Sequence, residues 1–289
     1  MAIRNEEKHL ASALDSLLAQ EFKDFEIIIS DNASTDRTPA LCREFAQKDS
    51  RIRYHRNEKN IGMTGNQNRV FRLSTGEFFF WAGGHDLWHP EFISKCLALM
   101  KPDASVVLCY PKIIIINETG APLDDPNPCR MDTRSMAVSS RINYVLWSHG
   151  NTGALIYGFI RSSALRPTGL FRNVLCPDNL LLFDLSLTGS IAHLPEPLFY
   201  IRENVESKAH LSSSLTRYRN LFYPEGRKYF RLWMTNWRLL YEHLAAVIQS
   251  PVRFNRKPVL LILVLVALLA RRGKHMLHDL IEACGLPRP

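Results

Sequence analysis

The sequence predicts an α/β protein built on a mostly parallel sheet flanked by helices, followed by a C-terminal helical tail. Short runs rich in β-branched and aromatic residues alternate with segments of helical period through the first half of the chain. Strands that alternate with helices of that length need crossover connections, and hence a sheet covered on both faces. The 289 residues, 46% of them hydrophobic, suffice for one sizeable core and an appendage.

The elements follow in order. Asn5 reads as an N-cap followed by Glu6 and Glu7, with Leu10, Leu14, Leu17 and Leu18 on one helical face, so the chain opens on a helix. A strand is expected immediately before it, where only four residues are available, so the first strand is read as missing. Phe25 to Ser30 is the next apolar run, and a polar loop leads from it to a helix signalled by Thr38, with Pro39 in the first helical position. Ile52 to His55 reads as a strand, Asn57 to Gly65 as a glycine-containing loop, and a helix runs on through about Ser74. Glu77 to Ala82 is strongly apolar, Pro90 opens another helix, and Ser105 to Tyr110 is a further strand. Ligands of such sheets bind beyond the carboxyl ends of the strands, so chemistry is expected in the loops after Ser30, His55 and Ala82.

Charge divides the chain. Residues 203–289 hold 14 Lys and Arg against 6 Asp and Glu, so the formal charge of +8 resides entirely in that segment. We therefore expect an α/β domain over 1–202 and a basic helical tail over 203–289. Within the tail, Val259 to Ala270 is uninterruptedly apolar, bracketed by Arg256 and Lys257 and by Arg271, Arg272 and Lys274. As a helix this run is about 18 Å long against a hydrocarbon core of about 30 Å, too short to span. Two readings remain: a buried terminal helix, or peripheral contact with an anionic membrane interface. The tail carries no nucleic-acid-binding motif, so nucleic acid is not expected as a partner. Six cysteines without a C-x-x-C pair or zinc-like spacing, and no signal peptide, lead to the expectation of a reduced, cytoplasmic setting or the inner face of the membrane. The sequons at Asn32 and Asn117 are then chance matches.

Asp31-Asn32-Ala33-Ser34-Thr35-Asp36, following the strand Glu26 to Ser30, resembles the D-x-x-S-T-D signature of family 2 glycosyltransferases, which have the GT-A fold. Phe25 to Ile29 precedes the signature as in that family. Asn60-Ile61-Gly62 and Asn68 resemble its N-x-G and following Asn, Gly76-Glu77-Phe78 its G-E-Y/F strand opening, and Leu194 to Arg202 the segment that closes its catalytic domain. The resemblance covers about residues 5 to 202. It implies a GT-A type, Rossmann-like catalytic domain, a nucleotide-sugar donor, and transfer with inversion to an acceptor hydroxyl; a glycan or lipid-linked acceptor is what a membrane-touching tail would suit.

The same resemblance assigns roles. Asp31 matches the acid that holds the nucleotide base, although alone it also suits an Asx turn. Asp36 is a loop or capping residue, and Asn60, Gly62 and Asn68 belong to the donor side. After Phe78 to Ala82 the family places an Asp-x-Asp motif that binds Mn2+ or Mg2+; here Gly83-Gly84-His85-Asp86 leaves Asp86 as the surviving acid. His85 is a second candidate ligand, or else a loop histidine. Asp178, in Cys176-Pro177-Asp178-Asn179-Leu180, stands where the family keeps an acidic pair ahead of its catalytic helix. It is the candidate general base, and it also reads as an N-cap for a helix beginning near Asn179. Asp184 is expected to face elsewhere. Arg202 is a candidate phosphate contact or a surface arginine, and Cys129 to Gly150 is assigned to the acceptor side. The rival reading, motivated by the short start and the thinned acidic motif, is a non-catalytic nucleotide-binding or interaction protein derived from this fold.

Overall fold

Three consecutive isoleucines locate the sheet. Side chains alternate between the two faces of a strand, and in β2 (Ile27–Asp31) Ile27 and Ile29 join one apolar cluster while Ile28 joins another. Both faces are covered, so the run needs no polar alternation. The computed structural model describes residues 1–124, 130–148, 152–203 and 235–283. Here β2 lies between β1 (Ala2–Ile3) and β3 (Ile52–Arg56), parallel to both, with Ala2 opposite Ser30 and Ile27 opposite Ile52. The expectation of a missing first strand is thereby corrected: the residues ahead of Asn5 form one, two residues long.

A second sheet is built from β4 (Phe78–Phe79), β5 (Leu87–Trp88), β6 (Val106–Ile116), β7 (Phe159–Arg161) and β8 (Ser190–Arg202), in the order β4-β7-β6-β8-β5. Only β6 and β8 run parallel in it; the other pairs are antiparallel. The predicted strand Glu77 to Ala82 pairs only at Phe78–Phe79. Beyond it, Phe80 packs edge-on against Phe92, and Trp81 against Phe79 and Phe171.

Helix α1 (Leu10–Leu18) buries Leu10, Leu14 and Leu17 against the first cluster. Asn5 is not its cap. It has φ 56°, its N–H donates to Ser34 Oγ and its Oδ1 accepts from the Thr35 N–H, both at 2.9 Å. The helices α2 (Thr38–Lys48), α3 (Met63–Leu73) and α4 (Phe92–Met100) follow near the predicted positions. Next come α5 (Val138–Trp147), α6 (Ser162–Leu165) and α7 (Pro177–Thr188).

Helix α7 is buried almost all round, because the tail packs on it. With α8 (Thr235–Gln249) and α9 (Lys257–Ala283), α5 and α7 form a third cluster that includes Leu180, Phe183, Leu239, Leu260 and Val264. Among the described residues no helix is long and apolar enough to cross a membrane.

A charged cluster reinforces this packing. Arg172, just ahead of α7, donates to Asp184 Oδ2 of α7 and, at 3.1 Å, to Glu242 Oε2 of α8. Asp184 thus faces the tail. Burial pushes its carboxyl up to about 6, and Arg172 opposes the rise. Its folded pKa lies above the ordinary value, so its ionised form is the less stable one, and its contribution is lost as pH rises through about 6. Arg172→Leu removes the cation that both carboxylates share. We expect it to lower the unfolding free energy by about 3–5 kcal/mol at neutral pH. The deficit should shrink below the Asp184 pKa, where that carboxyl is neutral; urea titrations on both sides of it would expose an equal deficit, which would contradict this account.

Candidate active site

The site begins with a carboxylate that has no access to water. Asp31 ends β2 fully buried. Its Oδ1 accepts from the Ser34 N–H at 2.9 Å and the Ser34 hydroxyl at 2.5 Å, its Oδ2 from the Tyr54 hydroxyl at 2.8 Å, and Arg56 Nε lies 3.5 Å away. This is the Asx-turn reading of Asp31, with Ala33 in the left-handed region at φ 58°. A carboxylate so enclosed does not face a base directly. The half-exposed groups around it are Tyr54 and Arg56, at the carboxyl end of β3, whose phenol burial and Asp31 hold well above its ordinary range. Sequence reading passed over both, although their place in the loop cluster was the signal available.

The adjacent amides shape the second loop. Asn32 Nδ2 donates to Asn60 Oδ1 at 2.7 Å and to the Gly62 carbonyl at 3.2 Å, and Asn32 Oδ1 accepts from the Ile61 N–H at 2.8 Å. Asn60 Oδ1 also accepts from the Gly62 N–H, and Gly62 has φ 82°, a conformation that a side chain would strain. Asn60 and Gly62 therefore set the entry to α3. Asn68 is placed differently from the donor role expected of it. Its Nδ2 donates to the Phe171 carbonyl at 2.9 Å and its Oδ1 accepts from the Phe171 N–H at 3.0 Å, which fastens α3 to the segment ahead of α7.

In the third loop, Gly83 and His85 stand where the motif usually has acids, and packing bears on the first of them. A Cβ on Gly83 would lie 2.4 Å from Asp86 Oδ2, and one on Gly84 would lie 2.7 Å from Glu6 Cγ, so neither position has room for a side chain. Asp86 is 5% exposed, and its Oδ1 accepts from the Arg202 N–H at 3.0 Å. Burial pushes its carboxyl up to about 6, opposed by the charge of His85. His85 Nδ1 lies 3.1 Å from both Glu6 oxygens, and its Nε2 3.9 Å from Asp86 Oδ1. Burial disfavours the imidazolium, but the Glu6 hydrogen bond and the Asp86 charge outweigh it and push His85 up to about 9. Sequence reading took Glu6 for a first-turn acid of a helix. It lies beyond the carboxyl end of β1, where the strand-end rule would have found it.

Arg202 is not arranged as a phosphate contact. It is buried, its Nε donates to the His85 carbonyl at 3.0 Å, and its Nη1 to the carbonyls of Asn117 and Glu118 at 2.8 and 2.7 Å. The guanidinium ties the acidic loop to the turn after β6 through these three carbonyls.

Among the described residues no three His, Cys, Asp or Glu side chains converge on a metal position. Asp86 and His85 offer two donors close enough for one divalent ion to reach after a small shift. Such an ion would complete its shell with phosphate oxygens and water. His85 ligates only as neutral imidazole, so it would first have to give up the proton that Glu6 stabilises. The pair fits an ion that arrives with a diphosphate, not a closed protein cage.

Asp178 lies in the first turn of α7 rather than at its cap. Cys176, in the left-handed region at φ 50°, precedes the helix, and no side-chain bond caps it. Pro177 begins the helix two residues earlier than a cap at Asp178 allows. The Asp178 carboxylate packs over Gly153, where a Cβ would lie 1.8 Å from Oδ2. Burial raises its pKa, opposed by the Asn179 N–H and its own. Gly153 belongs to a short 3-10 turn, Thr152–Tyr157, that also carries Tyr157. Burial pushes the Tyr157 phenol up to about 12, and the charges of Asp86 and Asp178 both add to the rise. The two acids predicted from distant parts of the chain therefore act on one residue, which no sequence pattern marked. Of the segment Cys129 to Gly150, residues 129, 149 and 150 lie outside the described residues; its helix α5 packs against α7 and α9.

Residues 1–154 match the model of glycosyl transferase family 2. An uncharacterized glycosyltransferase of Methanocaldococcus jannaschii is 29% identical over 130 residues, which are 44% of this chain and 45% of that protein. The chain spans about half the length of the curated relatives it matches. Among solved structures, S. aureus TarS in complex with UDP-GlcNAc aligns at a TM-score of 0.61 with 18% identity, over 92% of this chain and 70% of that one. The mannosyltransferase PcManGT from Pyrobaculum calidifontis, in complex with GDP-Man and Mn2+, aligns at 0.51 with 17% identity, over 94% and 73%. These two likenesses are likenesses of fold and identify it as GT-A. The family model covers more than half of the residues and the strand-end loops just described, and the chain belongs to glycosyl transferase family 2.

Proposed function

We propose that the chain transfers a sugar from a nucleoside diphosphate sugar to an acceptor hydroxyl, with inversion at the anomeric carbon. The observation that supports this reading is that buried Asp86 and half-buried Asp178, from distant parts of the chain, lie near enough to one another for the charges of both to raise the Tyr157 phenol. A single displacement needs negative charge neutralised at the leaving diphosphate and a base at the attacking hydroxyl. Asp86, with the Glu6–His85 pair beside it, serves the first end, and Asp178 the second. A carboxyl whose pKa is raised by burial is a better proton acceptor near neutrality than an ordinary aspartate. The acceptor proton passes to Asp178 as its oxygen attacks the anomeric carbon on the face opposite the diphosphate.

Mn2+ or Mg2+ held by Asp86, and by His85 once neutral, would supply Lewis-acid neutralisation of the diphosphate. Tyr54 and Arg56 border the part of the loop cluster where the nucleoside would lie. In this reading residues 1–202 carry the chemistry. A glycan or lipid-linked acceptor of cell-envelope synthesis, met at the cytoplasmic face of a membrane, suits the basic surplus of residues 203–289.

A second reading, non-catalytic nucleotide binding, draws on Asn60, Asn68 and Arg202, whose polar groups are taken up inside the protein. Donor hydrolysis with and without Mn2+ distinguishes the two.

The donor site is tested by calorimetric titration with UDP, GDP and dTDP. One of them should bind, more tightly with Mn2+ present, and Arg56→Gln should weaken it; unchanged affinity would place the nucleotide elsewhere.

Asp86 makes a pH-dependent contribution that can be isolated. Its folded pKa is raised, so stability is lost as pH climbs from the ordinary carboxylate value through about 6. Asp86→Asn cannot ionise, and its melting temperature should gain on wild type across that window while transfer is lost at every pH. A constant difference in melting temperature would disprove the assignment.

Asp178→Asn keeps the size of the side chain and removes the base. Transfer should fall about a hundred- to ten-thousand-fold, with nucleotide affinity unchanged. Because burial already disfavours the Asp178 anion, the melting temperature at neutral pH should hold or rise. Near-normal transfer by this variant would rule Asp178 out.

A further inference from the structure

The outward side of the tail helix is apolar along its length. Val259, Ile262, Val266, Leu269, Leu277 and Leu280 of α9 are between 37% and 61% exposed. Their spacing puts them on one helical face, and Gly273, with open space around it, continues that face between Leu269 and Leu277. The stripe runs about 32 Å at 1.5 Å per residue. Charged neighbours leave it clear: Arg271 donates to the Leu146 carbonyl, Arg272 to Asn236, and Asp279 accepts from Asn236. The opposite face of α9 is already buried against α5, α7 and α8.

The stripe begins at an unusual turn. Between α8 and α9, Arg253, Phe254, Asn255 and Arg256 are all exposed, Phe254 at 86%, and Ile248 near the end of α8 is 59% exposed. A contiguous apolar surface of this extent marks an interaction site. Its charge says what kind. From Ile248 to His278 there is no acidic residue, whereas Arg253, Arg256, Lys257, Arg271, Arg272 and Lys274 are basic. A second copy pairing in parallel fits poorly, because it would set Arg253, Arg256 and Lys257 against their own counterparts.

The geometry points to this surface as the docking face for an anionic lipid bilayer. Helix α9 lies in the plane of the interface, Phe254 and the stripe enter the boundary of the acyl chains, and Arg253, Arg256 and Lys257 meet lipid phosphates. The inference is independent of the sugar-transfer reading, and its test measures no activity.

The full chain should co-sediment with vesicles containing phosphatidylglycerol and only weakly with phosphatidylcholine alone. Replacing Arg253, Arg256 and Lys257 together by Gln should lower partitioning roughly a hundredfold at low salt. Phe254→Ser with Ile262→Ser should lower it about tenfold or more at any salt. Both positions are exposed, so the melting temperature should hold in that variant. Failure to bind the acidic vesicles overturns the proposal. If gel filtration then shows a dimer that Ile262→Ser dissolves, the stripe belongs to a second copy. Equal vesicle binding by wild type and both variants overturns it as well.

Discussion

Asp31 is an ionisable side chain sealed from water, and a buried carboxylate is tolerated only when protein supplies its hydrogen bonds. Meeting that demand draws the ends of β2 and β3 together. Ser34 folds the signature loop back over the strand, Tyr54 reaches across from β3, and Arg56 comes alongside. The same loop is then fastened to the chain leaving β1, through the N–H groups of Asn5 and Glu6 to Ser34 and Thr38 and the N–H of Arg37 to Glu7. A two-residue first strand holds its place because its exit is tied down by side chains as much as by the sheet.

The acidic loop is built on a comparable economy. Of the two places where the motif usually has acids, Gly83 leaves its space to the Asp86 carboxylate and His85 fills the other, while Gly84 leaves its space to Glu6. Arg202, from the far end of β8, offers its backbone N–H to Asp86 and its guanidinium to the surrounding carbonyls. The result is a carboxylate and an imidazolium held side by side with little freedom to move, the kind of preorganised charge that stabilises a polar transition state without reorganisation.

The tail and the catalytic half are not separate in their packing. Helix α7 carries Asp178 in its first turn and packs into the cluster shared with α5, α8 and α9, and Arg172 binds carboxylates from both α7 and α8. Its low amphipathic contrast follows from this, since apolar neighbours surround it and no polar face is required. The position of the proposed base therefore depends on packing by residues more than fifty positions downstream.

Much of this was legible in the sequence, for identifiable reasons. The apolar run at Ile27 to Ile29, the Thr38-Pro39 start and the leucine face of α1 are local signals, set by strand pleat, proline geometry and helical period, whereas the order of strands in the two sheets, and the antiparallel pairs of the second, came only from the tertiary fold. The loops of Asp31 and Asp86, and the helix of Asp178, could be named because their residue types recur at a family's spacing. Which way those side chains turn could not be read, because it is decided by partners far away in sequence. Asp31 faces inward because Tyr54 is there, Arg202 because the carbonyls of His85, Asn117 and Glu118 accept from its guanidinium, and Asn68 because Phe171 crosses above it. Glu6 and Tyr157 enter the site only through the tertiary fold, which brings a residue after β1 to His85 and sets a phenol where the charges of both Asp86 and Asp178 bear on it. Sequence by itself determined the fold and the chemical vocabulary of the site; tertiary structure decided which of those groups bond inward and which face a ligand, since burial and long-range hydrogen bonding are properties of the packed chain.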